Sequence, residues 1–161
     1  MKFVSYDSLN ADEKKQIDHI FFENSKKIFS SEQEKSKFRE KWLTPYFSTN
    51  SIFLALVVND IIAGYVNGRT KTENTIEEFE LFERDFPAHL HINIAKEFQS
   101  KGYGRLLIDK FIQSLPKDIL GVHIVTGAKS RNIRFYEGNG FRCLGHNQKK
   151  TVVFMGRDLK E

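Results

Sequence analysis

His89-Leu90-His91-Ile92-Asn93-Ile94, followed after four intervening residues by Gln99-Ser100-Lys101-Gly102-Tyr103-Gly104-Arg105, is the stretch that decides the fold. The first part alternates polar and apolar side chains with period two. It predicts a strand with His89, His91 and Asn93 on one face and Leu90, Ile92 and Ile94 on the other. Two glycines then allow a sharp turn, and Leu107, Phe111 and Leu115 mark one face of a helix over 105–115 that stops at Pro116. Where a strand, a glycine turn and a helix follow one another, the first helical amides point outward with about half a positive charge, which favours phosphate oxygens. Residues 99–104 therefore read as an anion cradle. The Rossmann fingerprint would need a third glycine and an acidic residue after the next strand, and the P-loop would need Gly-Lys-Ser/Thr; neither occurs here.

On the N-terminal side, Asn10 with Glu13 forms a capping-box pattern, and Ile17, Ile20, Phe21 and Ile28 recur at helical spacing. Ser31 with Glu34 starts a second helix, in which Phe38 and Trp42 lie one turn apart and which Pro45 ends. Two β-rich runs, 52–58 and 61–69, are joined by Asn59-Asp60, a pair suited to a two-residue antiparallel hairpin turn. Residues 71–87 break the pattern with Glu73, Glu77, Glu78, Glu80, Glu83 and Asp85 against Lys71 and Arg84, and read as a long acidic loop able to hold a short helix. On the C-terminal side come a buried-type strand over 121–126, a short helix over 132–137, and strands over 141–145 and 151–157. A helix between two strands implies a parallel crossover.

The whole chain of 161 residues has the composition of one globular domain, with 40% in the hydrophobic set, 29% charged and 3 prolines. A domain of this size buries enough surface to need no metal or disulfide staple. The lone Cys143 fits a reducing compartment and predicts a buried structural thiol. A formal charge of +4 suits an anionic ligand and does not call for nucleic acid; an RNA-binding domain would need aromatic-basic motifs that are missing. The N-terminus meets polar residues before a signal-peptide core could form, and the longest apolar run is strand-sized, so the expectation is a cytoplasmic protein that contacts no membrane. Five scattered histidines, no His-Glu-x-x-His and one cysteine predict no metal site, and the Gly-x-Ser-x-Gly elbow of a serine hydrolase is absent.

Gln99-x-x-Gly102-x-Gly104 resembles the acetyl-CoA motif of the GCN5-related N-acetyltransferases. Ile133-Arg134-Phe135-Tyr136-Glu137-Gly138-Asn139-Gly140-Phe141 is similar to the same family's second signature, a helix carrying Phe-Tyr before a Gly-Phe that opens the next strand. The resemblance implies a three-layer mixed α/β fold, in which a mostly antiparallel sheet is splayed between its fourth and fifth strands and helices cover both faces. It implies acetyl-CoA as co-substrate, with Ile92 and Ile94 along the pantetheine arm. Gln99, Ser100, Lys101, Gly102, Tyr103, Gly104 and Arg105 would lie at the pyrophosphate, and Lys129, Asn132, Phe135 and Tyr136 would complete the site. The backbone amide of Ile94 would hold the thioester carbonyl, and Tyr136 would act on the leaving thiolate. The family's usual asparagine is absent here, where Lys129 and Asn132 stand, and Lys129 could reach a phosphate instead. The strings 87–94 and 121–123 further resemble the acetyltransferase-like domain of some O-GlcNAc hydrolases.

An amine acceptor with pKa near 10 must lose a proton before it attacks, and His89, His91, Asp85 or Glu97 could take it, directly or through water. His91 is the first choice, being nearest in sequence to the reacting region. The expected reaction is direct acetyl transfer to a primary amine of a small molecule or protein, by a monomer or homodimer. The acidic stretch before His89 would favour a cationic acceptor. The rival reading is a non-catalytic acyl-CoA-binding or interaction module of the same fold.

Overall fold

The computed structural model describes residues 1–72 and 76–160, which form two compact units. One comprises Met1–Gly68 with His91–Ser114, the other Arg69–Leu90 with Leu115–Glu161. The strands are β1 (Lys2–Ser5), β2 (Ile52–Val58), β3 (Ile61–Arg69), β4 (Ala88–Ile94), β5 (Gly121–Gly127), β6 (Arg142–His146) and β7 (Val152–Asp158). Their order in the seven-stranded sheet is β1-β2-β3-β4-β5-β7-β6; β1 with β2, β2 with β3, β5 with β7 and β6 with β7 pair antiparallel, and β4 with β5 pairs parallel. The fold is therefore mixed α+β with a mostly antiparallel sheet, as expected.

The first unit is built on the β2–β3 hairpin. Asn59 and Asp60 both take positive φ, 50° and 61°, the geometry of a primed two-residue turn that matches the strands' twist. Consecutive residues Ala55 and Leu56 of β2 are both fully buried, so both faces of this strand are covered. On one face Phe53, Ala55 and Val57 pack with Ile17, Ile20 and Phe21 of α1 (Ala11–Ser25). Helix α4 (Tyr103–Gln113) also packs on β2 and buries Leu107, Ile108 and Phe111. Asn10 and Glu13 close a reciprocal capping box at the start of α1, at 2.9 and 2.8 Å. Ser31 caps α2 (Glu32–Trp42) by accepting from the Glu34 amide at 3.1 Å.

In the second unit Phe79, Phe86 and Phe154 form the core, with Phe82, Leu144 and Val152 against them. Helix α3 (Glu80–Asp85) supplies the short helix expected inside the acidic stretch. Glu73 lies outside the described residues. Helix α5 (Asn132–Glu137) joins β5 to β6, and both strands pair antiparallel with β7 between them. The crossover thus links strands of equal direction that are not neighbours.

Four readings need correction. The strand β1 was not anticipated; it is four residues long and pairs through Lys2–Val57 and Phe3–Leu56. Helix α1 ends before Ile28, because Lys26 caps it in the left-handed conformation (φ 54°), and Ile28 is 94% exposed. The cradle helix starts at Tyr103 rather than at 105, with Gly102 as its N-cap. Cys143 is exposed, not buried: its strand β6 is the outer neighbour of β7, where one face meets solvent.

Candidate active site

In the first unit the loop after β4 follows from backbone conformation. Ala95 donates its N–H to the Ala63 carbonyl at 2.9 Å, so β3 and β4 stay paired to the end of β4. Amide directions alternate along a strand, so this bond turns the N–H and C=O of Ile94 away from β3. The Ile94 carbonyl receives Nδ2 of Asn24 and Nε2 of Gln99, each at 3.1 Å. Gln99 therefore ties the loop back to the strand, a positioning role that its place in the motif alone does not disclose. Gly64 makes the close approach of β3 and β4 possible, since a Cβ there would lie 2.7 Å from the Asn93 carbonyl oxygen.

Beyond a 3₁₀ turn (Lys96–Phe98) the chain reverses through positive φ at Ser100 (60°) and Gly102 (83°) and enters α4. Gly102 offers no side-chain cap, so the amides of the first turn are not taken by their own helix end. Gln99, Ser100, Lys101, Gly102 and Arg105 are exposed, whereas Gly104 is buried where the helix meets the sheet. Lys101 lies over the Phe98 ring at 5.5 Å. Exposed amides, a lysine and an arginine around one turn can hold an anion.

Next to this loop the polar face of β4 is organised by residues distant in sequence. The Tyr46 hydroxyl bonds Nε2 of His91 at 3.0 Å, and their rings meet edge to face at 5.4 Å. Asn93 donates to the hydroxyl of the fully buried Tyr65 at 2.8 Å. His91 keeps part of its surface in solvent while protein packs densely around it, and desolvation pushes the imidazole down, to about 4. The side chain is then neutral near pH 7 and can accept a proton.

The second unit holds the other predicted residues. Tyr136 is buried on α5, edge to face with Phe135 at 5.1 Å and with Phe141 at 5.4 Å. Burial raises its pKa, so it stays a protonated phenol. The Tyr136 carbonyl accepts from the Phe141 amide at 3.0 Å, and Gly140 makes that turn at φ 84°. Lys129, Asn132 and Asp85 are exposed. His89 and His123 are buried side by side on the first rungs of β4 and β5, and Thr72 bonds both, at 3.3 and 3.4 Å. His123 also bonds the Phe86 carbonyl. His89 is thus packed within a hydrogen-bonded group, whereas His91 meets solvent. Glu97, in the first unit, is exposed.

Sequence reasoning missed Tyr46, Tyr65 and Asn67. An asparagine within an otherwise apolar strand was the available signal for Asn67; nothing local marks Tyr46, which lies 45 residues from His91. Among the described residues no group of three or more His, Cys, Asp or Glu side chains is placed to hold a metal, and no helix is long and apolar enough to cross a membrane.

Residues 21–155 match the Acetyltransferase (GNAT) domain family, and the chain belongs to that family. No curated protein matches it. Among solved structures it is similar to SsHAT, at 19% identity and TM-score 0.74, over 99% of this chain and 98% of that one. An aminoglycoside 6'-N-acetyltransferase complexed with coenzyme A is similar at 12% identity and TM-score 0.70, over 100% and 98% of the two chains. The PaiA N-acetyltransferase from Thermoplasma acidophilum, in complex with coenzyme A, matches at 16% identity and TM-score 0.67, over 98% and 99%.

Proposed function

We propose that this chain, acting as one catalytic domain, transfers the acetyl group of acetyl-CoA directly to a primary amine. The observation that carries the reading is the loop itself. Positive φ at Ser100 and Gly102 and an uncapped α4 start at Tyr103 assemble an anion-binding turn directly after a strand whose last residue directs its N–H away from β3. Residues 99–105 would take the pyrophosphate, with Lys129 and Asn132 as further polar contacts and Phe135 as an apolar one. Ile92 and Ile94 would line the pantetheine arm. In support, the parallel pairing of β4 with β5 runs through Ala88–Val122 and His89–His123, two rungs only among the described residues.

When bound, acetyl-CoA supplies the thioester. His91, neutral at working pH, takes a proton from the acceptor amine, whose nitrogen then forms the new bond to the acyl carbon. The Ile94 N–H donates to the developing oxyanion, a contribution of a few kcal/mol when such a donor is fixed in advance. Tyr136 gives a proton to the sulfur as the C–S bond breaks. The test is a panel of amine acceptors followed by release of free thiol. Coenzyme A binding without thiol release on any acceptor would favour the non-catalytic module. The substrate would be met away from membranes and nucleic acid, in the cytoplasm.

Two outcomes follow from the charges. With an acceptor whose own amine titrates below about 4, the acid limb of kcat/KM should fall near 4 rather than near 6.5, because the desolvated His91 loses its base form only there. A limb at 6.5 that persists in His91→Gln would assign the base elsewhere. The acidic stretch is proposed to favour cations, but Glu78 holds the Gln148 amide at 2.8 Å and has a structural task. Neutralising Glu77 and Glu80 together should therefore raise KM for a cationic acceptor several-fold and leave a neutral acceptor and coenzyme A affinity unchanged. Equal KM changes for both acceptors would remove this role.

A further inference from the structure

Asn67 lies in β3 at 2% exposure, and its Oδ1 is the one buried side-chain polar atom without a hydrogen-bond partner among the described residues. A buried carbonyl oxygen with no donor destabilises the fold relative to an apolar group of the same size. Such an atom in an otherwise satisfied core points to a donor that appears only in another state of the site.

The strand register identifies that donor. Ala63 stands opposite Ala95, as the 2.9 Å bond between them fixes, and the nearness of Gly64 to Asn93 and Ile94 agrees. Counting away from this pair in antiparallel register sets Tyr65 opposite Asn93 and Asn67 opposite His91. The Asn93–Tyr65 hydrogen bond at 2.8 Å bears out the first step. Directly opposed side chains on one face have Cβ atoms about 4.5–5.5 Å apart, within reach of a short hydrogen bond between an amide and an imidazole. A neutral imidazole has one donor and one acceptor nitrogen, and Tyr46 already engages Nε2. Protonation turns both nitrogens into donors.

We infer that Asn67 is a positioning residue for His91, its side-chain carbonyl accepting the Nδ1–H of the imidazolium, while the proton from the amine enters at Nε2 through the Tyr46 hydroxyl, which takes it up as it passes its own proton to the ring. The inference rests on the reading of His91 as base. The titratable groups packed about this face are Tyr46 on the turn after α2, Tyr65 on β3, and Asp18 of α1, whose carboxylate is paired with Arg39 of α2 at 2.8 Å. None of these sets an unpaired carboxylate beside His91; Phe53 is the residue opposite Asn67 on β2. A neutral carbonyl supports the imidazolium without stabilising it so much that the proton is retained.

Asn67→Leu keeps the volume and deletes the acceptor. It should leave Tm unchanged or higher, lower kcat about tenfold and leave coenzyme A affinity intact, and the loss should vanish in a His91→Gln background. Asn67→Asp should move the His91 titration, followed by imidazole NMR, upward by about one pH unit or more. The inference is overturned if Asn67→Leu costs the same with or without His91, or if a folded Asn67→Asp protein titrates His91 as the parent does. If His91→Gln leaves kcat unchanged, the base assignment fails, and the NMR shift alone still decides the Asn67–His91 contact.

Discussion

Gly102→Asp should weaken coenzyme A binding at least a hundredfold while the protein stays folded. Gly102 sits at φ 83°, and a Cβ there would meet no heavy atom within 4 Å, so the added side chain has room. Its costs are different ones. A non-glycine residue in the left-handed region loses about 1 kcal/mol, least for Asn and Asp. The new carboxylate would stand at the N-cap of α4, accept the helix's own first amides and set a negative charge where the pyrophosphate is proposed to lie. Both effects remove donors from the ligand, and a hundredfold loss corresponds to about 2.7 kcal/mol. Gly102→Ala separates the terms, since it brings the backbone strain without charge or cap and should cost no more than about tenfold. Titration calorimetry with coenzyme A reads both variants, and thermal unfolding checks the fold. Equal affinity in Gly102→Asp and the parent would place the phosphates away from this turn.

Local chemistry was legible in the sequence wherever one or a few neighbouring residues dictate the backbone. Asn59-Asp60 announced its turn, Asn10 with Glu13 its capping box, and the two glycines of 99–104 their place between strand and helix. Failures came where a partner far along the chain decides. The strand β1 has four residues, too few for periodicity to register, and exists because β2 offers an edge to pair with. Ile28 fits the helical spacing of α1, yet the left-handed Lys26 ends the helix before that spacing can be used. The alternation over 89–94 correctly put His91 and Asn93 on one face, but not what they face: Tyr46 comes from the turn after α2, and Tyr65 and Asn67 from β3. A strand pattern states which side of the sheet a residue occupies; only register and packing state its neighbours. The unpartnered Oδ1 of Asn67 could not be read from sequence at all, because an asparagine in a strand is most often paired.

Tyr136→Phe should lower kcat tenfold or more with coenzyme A affinity and stability retained. The case begins with what the substitution leaves alone. The ring packs edge to face on Phe135 and Phe141 at 5.1 and 5.4 Å, and phenylalanine keeps both contacts. The turn that positions α5 uses the Tyr136 carbonyl and the Phe141 amide, which are backbone groups. What is lost is a proton. Burial raises the pKa of this phenol, which keeps it protonated through the neutral range and available to a sulfur whose conjugate acid titrates near 8.5. General acids contribute about a hundredfold to ten-thousandfold, and a thiolate leaves readily without help, so the loss should sit at the low end of that range or just below it. Single-turnover measurements isolate the chemical step from product release. If that step is unchanged in Tyr136→Phe, the residue serves the packing of α5 and the thiolate departs with another proton donor or with none.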